Sequence, residues 1–221
     1  MRAIELFNLN ILRAEKLIDL HKRAFKRGRP VAEGEAADLL RSAIVFAEAA
    51  LDTYIHVRTV EVTMKIIFKG KKVPHAVAQL IASPIKESDR SKALLNIAVA
   101  KNPESEIRKL LRKQLSYQTF QAPKDLDEAF RMMEIGDSWK KLDKFLTNRP
   151  GPKKQGKKQT TKIFLLNLSE RRNDIVHRGD MYINKKYHGK YQIISRSQVA
   201  DSLVKLKKIV FGIEQISERK S

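Results

Sequence analysis

From Glu35 the chain reads EAADLLRSAIVFAEAALDTYIHV, with apolar residues on more than one face of a helix. A helix of that kind is stable only when other elements surround it. The rest of the chain must therefore supply amphipathic partners, and it does. Ile4, Phe7, Ile11, Ala14, Ile18 and Phe25 recur at spacings of three, four and seven, which predicts a helix to about Arg27, stopped by Gly28-Arg29-Pro30. A last helix from Ser197 sets Val199, Leu203, Leu206, Val210 and Ile213 along one side. The continuation of the central segment, VRTVEVTMKIIF, is rich in β-branched residues. It reads as more helix, the simpler account, or as strand in its last part.

Between these segments the punctuation is also helical. Asn102 before Pro103, Glu104 and Glu106 has the cap, first-turn proline and early acids of a helix start, leading into SEIRKLLRKQLS. Ala122-Pro123 opens another at DLDEAFRMM, and Ser138-Trp139 begins a short helix to Phe145. Residues 146–162, LTNRPGPKKQGKKQTTK, carry two prolines, two glycines and six basic residues without an acid, so this stretch is expected to be a flexible basic loop. The expected fold class is all-α, a helical bundle forming a single domain over residues 1–221.

Lysine and arginine number 45 against 25 acids, a net charge of +20, which favours a polyanionic partner such as nucleic acid or, less often, an anionic membrane surface. Cysteine is absent, which excludes disulfides, thiolate catalysis and sulfur-ligated metals. No apolar run has the length of a membrane span, and the opening MRAIELFNLNILRAEK is charged through its apolar stretch, unlike a signal peptide. A cytoplasmic protein without membrane association is expected.

Few residue groups carry chemistry. Gly151 to Lys157 resembles a phosphate-binding loop but has Lys158 where a magnesium-binding Ser or Thr belongs. Lys153, Lys154, Lys157 and Lys158 are better read as cations that add affinity for a nucleic-acid backbone. No two of His21, His56, His75, His177 and His188 share a helical ligand spacing, so no metal site is expected. His21 extends the buried stripe of the first helix as a satisfied core histidine, whereas His56 and His188 belong to the surface. Glu48 and Asp52, spaced i,i+4, read as ion-pair partners.

The stretch Ser169 to Asp180, SERRNDIVHRGD, is the exception. Leu165, Leu168, Ile175 and Val176 all fall within roughly 60° of Arg172 on a helix turning about 100° per residue. A permanent cation thus interrupts an apolar stripe, and a buried arginine needs an anion, for which Glu48 or Asp52 is the natural structural candidate. Asn173 and His177 share the opposite face four residues apart, and the arginine side chain is long enough to reach round the helix.

Arg172-Asn173 to His177 is similar to the R-N-x-x-x-H signature of the HEPN superfamily of ribonucleases. The blocks SAIVFAEAALDTYIH, SYQTFQAPKDLDEAF with IGDSW, and SERRNDIVHRGD resemble, in order, those of RiboL-PSP HEPN proteins. The resemblance implies a HEPN-like helical bundle with additional helices whose motif-bearing helices meet in a homodimer, forming one composite, metal-independent endoribonuclease site without a cofactor. By matching position, Arg172 would stabilise charge on the scissile phosphate, His177 would handle the proton and Asn173 would orient one of them. Arg171 gives an Arg-x5-His alternative, so either arginine is a candidate for the phosphate. The implied role is a toxin or antiviral defence effector acting on RNA, with an antitoxin or defence-system partner. A non-catalytic RNA-binding or adaptor module is the alternative. In HEPN toxins silenced by a nucleotidyltransferase, a tyrosine stands two residues after the histidine; Gly179 stands there in this chain.

Overall fold

A computed structural model describes residues 1–26, 29–70, 73–82, 87–147, 160–182 and 189–218. Among these the secondary structure is helical: α1 (Ala3–Ala24), α2 (Glu35–Phe68), α3 (His75–Ala82), α4 (Glu87–Ala98), α5 (Pro103–Leu115), α6 (Pro123–Met132), α7 (Ser138–Thr147), α8 (Thr161–Arg178) and α9 (Arg196–Glu218). The expected all-α class is what the chain adopts. Extended pairing among the described residues is limited to two isolated bridges, Val31 with Ile194 and Met181 with Tyr191.

The 34-residue α2 is the axis of the bundle and spans about 50 Å at 1.5 Å per residue. Its β-branched continuation is helix throughout, because packing on several sides outweighs the small χ1 penalty of Val and Thr. Helix α1 lies along α2, and α5, α6, α8 and α9 pack on the remaining faces. Phe7, Ile11 and Ala14 of α1 are buried as their spacing predicts, and Phe7 meets Tyr54 edge to face at 5.9 Å. The helix ends at Ala24, short of Arg27, where the Phe25 backbone turns away.

All five residues of the predicted α9 stripe are buried, each worth about 1.5–3 kcal/mol relative to exposure. Polar links lock the far ends of the same helices. Tyr54 donates to Glu214 at 2.8 Å, and Arg58, almost fully buried, donates to Ser217 at 2.7 Å and pairs with Glu214 at 3.0 Å. Asn102 caps α5 by accepting from the Ser105 N–H at 3.0 Å. Helix α7 continues to Thr147, beyond Phe145, and Thr160 caps α8, so both edges of the 146–162 segment are helix termini. The rest of that segment, including Lys153, Lys154, Lys157 and Lys158, lies outside the described residues.

Two histidine expectations change. His21 is buried, but neither ring nitrogen has a hydrogen-bond partner among the described residues, and burial, with Arg196 adding to it, lowers its pKa. His56 is half-buried, not a surface residue: its ring packs on Phe120 and its nitrogens meet the carbonyls of Asp52 and Leu115. His188 lies outside the described residues.

Candidate functional site

Helix α8 carries the Arg-Asn-x-x-x-His motif, and its two ends are fixed locally. At the start Thr160 accepts from the Ile163 N–H, and the Thr161 N–H donates to Asp143 of α7 at 2.9 Å. At the end Gly179 takes the left-handed conformation, φ 58°, and the Asp180 N–H closes the last turn onto the Asp174 carbonyl at 2.9 Å. A glycine after the motif histidine is therefore a conformational requirement of this helix end. Phe164, Leu165 and Leu168 bury the inner face. The stripe then divides: Ile175 is half-buried, whereas Val176, about 100° further round the helix, is 47% exposed.

The two neighbouring arginines have different fates. Arg171 turns toward the fold, donating to Asp180 Oδ2 at 2.7 Å and to Gln192 Oε1 at 2.5 Å. Asp180 is fully buried, and the same oxygen accepts from Arg41 of α2 at 2.8 Å. Arg41 in turn donates to the Ala32 carbonyl at 2.6 Å, and Gln192 donates to Asp174 at 2.9 Å. This polar cluster joins α2, the end of α8 and the segment before α9. An arginine in such a cluster already has its anion.

Arg172 is half-buried and forms no ion pair among the described residues. Its Nη1 donates to the neutral Asn173 side chain at 3.0 Å. Asn173 and His177 are exposed, sharing the outer face of α8 with Ile163 and Leu166, which are 48% and 42% exposed. The acid on the inner side is Glu48 of α2. It is fully buried, neither oxygen has a hydrogen-bond partner among the described residues, and burial pushes its pKa up to about 8 against the pull of Arg172. Asp52, the other structural candidate, is taken: it accepts from the Phe120 N–H at 2.5 Å.

The motif side chains line neither of the two grooves that border α8. One, of about 450 Å³, lies between α2 and the last turn, against Arg41, Phe46, Ile175 and Gly179. The other, of about 470 Å³, lies toward α9, against Phe164, Asn167, Arg171 and Ser202. Asn173 and His177 stand instead on open surface, with Arg172 half-buried beside them. Among the described residues no three His, Asp or Glu side chains converge as metal ligands, and no helix is long and apolar enough to cross a membrane.

The sequence missed Arg41 and Gln192. Arg41 carried a readable signal, since it interrupts the apolar run LLRSAIV as Arg172 interrupts its own. Gln192, in an irregular segment, carried none.

Searches of curated proteins and of solved structures found no match. A family model described as RiboL-PSP-HEPN matches residues 9–218, almost the whole chain. HEPN domains have RNA-related functions. The ordered blocks, the helical bundle and the motif on α8 converge with that match, and the chain belongs to the RiboL-PSP-HEPN family.

Proposed function

We propose that this protein is a metal-independent endoribonuclease whose active site is completed by a second copy of the chain. The observation that carries the reading is the division of labour on α8. Arg171 is consumed by Asp180, while Asn173 and His177 are exposed and the half-buried Arg172 has no acid paired to its guanidinium among the described residues. A cation without a counter-ion beside a titratable ring fits a phosphodiester better than it fits a packing role.

Cleavage of RNA by its own 2′-OH requires a base to take the hydroxyl proton, an acid to protonate the departing 5′-oxygen, and donors to the equatorial oxygens. One chain presents one motif histidine. Two copies related by a two-fold axis present two, so that one acts as base and the other as acid across a shared phosphate. Arg172 of each copy stabilises the developing charge, and Asn173, already bonded to Arg172, orients it. The apolar residues beside the motif, Ile163, Leu166 and Val176, give the outer face of α8 something to bury against its partner. The products are a 2′,3′-cyclic phosphate and a 5′-hydroxyl. With Lys153, Lys154, Lys157 and Lys158 engaging the backbone, an enzyme of this kind suits a toxin or defence role in the cytoplasm, restrained by a partner.

The test is cleavage of labelled single-stranded RNA in EDTA by wild type and His177→Ala prepared side by side, with product ends identified. Cleavage by wild type alone, leaving a cyclic phosphate, supports the reading. Equal cleavage by both proteins removes His177 from the chemistry, and RNA binding without cleavage by either favours a non-catalytic RNA-binding module.

A further inference from the structure

Glu48 is a buried carboxyl facing the motif helix that the proposed chemistry leaves unused, and its placement is costly. It sits at the middle of α2, fully buried, with both oxygens unpartnered among the described residues. A leucine would fill the same space without the desolvation cost of a carboxyl group. The charged groups whose fields reach it are Arg172 from α8 and Asp52 from its own helix; among the described residues, α1, α5, α6 and α9 direct no charge at it. Asp52 is occupied by the Phe120 N–H, so Arg172 is the cation to which an ionised Glu48 would turn.

Arg172 is suited to two positions. Its backbone lies on the inner side of α8 with Leu165 and Leu168, which are buried. Its guanidinium reaches outward to Asn173 Oδ1, a neutral acceptor that leaves the charge uncompensated. We infer that Glu48 is a positioning residue for Arg172: the neutral carboxyl leaves the guanidinium outward for an RNA phosphate, and the ionised carboxylate draws it back into the fold. This rests on the RNA reading above. Phosphate and ionised Glu48 then compete for one cation, so raising the pH weakens RNA binding through a residue that never touches RNA.

The size of the effect follows from the population of the competent form. With a pKa of about 8, Glu48 is about nine-tenths neutral near pH 7 and about one-tenth neutral near pH 9. If RNA binds only the neutral form, apparent affinity falls by about tenfold between those conditions. Neither a glutamine nor a leucine at position 48 ionises, and each approximates the glutamate in volume.

The experiment is fluorescence anisotropy of a labelled mixed-sequence single-stranded RNA, titrated at fixed ionic strength near pH 7 and near pH 9. It uses wild type, Glu48→Gln, Glu48→Leu and Arg172→Ala, each checked for helical content. Wild type is expected to lose about tenfold in affinity. The two Glu48 variants should bind like wild type near pH 7 and lose less than about twofold near pH 9. Arg172→Ala should bind weakly and alike at both. An equal loss in Glu48→Gln and wild type, or a flat response from a wild type that binds well near pH 7, overturns the role of Glu48 alone. No binding by any protein near pH 7 overturns the RNA reading itself, and this inference with it.

Discussion

Arg171 donates to the buried carboxylate of Asp180 at 2.7 Å. The contact ties the body of α8 to the residue just beyond its own last turn, and Arg41 grips the same oxygen from α2. The motif helix is thereby held at the end where His177 stands.

Asp180→Asn is expected to destabilise the fold strongly. The variant keeps the shape and tolerates the left-handed backbone, φ 67°, but takes the anion from Arg171 and leaves Arg41 with only the exposed Asp38 at 3.1 Å. Breaking a buried pair from one side costs about 3–5 kcal/mol. Urea denaturation of the two proteins measures the loss; one below about 1 kcal/mol would show that solvent or Gln192 compensates the arginines.

The adjacent arginines should separate function from stability. Arg171→Ala is expected to lower Tm markedly through the same cluster. Arg172→Ala should leave Tm nearly unchanged while cutting RNA cleavage by about 100-fold or more, as for loss of a transition-state charge donor. Thermal melts and cleavage rates on the same preparations decide this, and the opposite pattern would assign the phosphate to Arg171.

Glu48 makes stability pH-dependent with a definite sign. Its folded pKa is raised to about 8, mainly by burial, so the folded chain holds a proton that the unfolded chain has released. That contribution is complete below the ordinary carboxylate range, declines as pH rises toward about 8, and is gone above it. The total is on the order of a few kcal/mol at about 1.4 kcal/mol per pKa unit. Glu48→Leu should flatten this slope and stabilise the protein most above about pH 8. Denaturation midpoints across that range supply the comparison, and parallel slopes in the two proteins would refute the assignment.

Gly179→Ala is expected to cost about 1–2 kcal/mol, because φ 58° crowds a Cβ against the backbone. No bulky neighbour opposes the added methyl, the nearest atom being the Met181 side chain at 3.9 Å. A loss confined to the last turn of α8 would also lower cleavage, and hydrogen exchange at His177 and Arg178 would locate it.

Neutralising Lys153, Lys154, Lys157 and Lys158 together should weaken RNA binding and flatten its salt dependence. Each phosphate contact removed takes about 0.7 from the slope of log affinity against log salt. An unchanged slope would place the RNA elsewhere on this basic surface.

The sequence by itself determined most of the helices and many of their ends, because these follow from local rules; α3 and α4 it left unassigned. The α9 stripe from Val199 to Ile213 and the Asn102 cap both depend on residues within a turn or two of one another. It also singled out Arg172, since a charge in an apolar stripe is visible from spacing alone, and it named Glu48 among the acids that the stripe could face. What the sequence left open was which arginine already has an anion. Arg171 and Arg172 differ by one residue, or about 100° of helix, and both lie near acids in the chain. Only the tertiary structure brings Arg41 and Asp180 together across 139 residues, and Gln192 to Arg171 across 21. It likewise buries Glu48 completely while giving Asp52 the Phe120 N–H. Pairing of that kind depends on where distant segments converge, which periodicity does not encode, and it is what separates Arg171, paired with Asp180, from Arg172, which has no ion pair among the described residues.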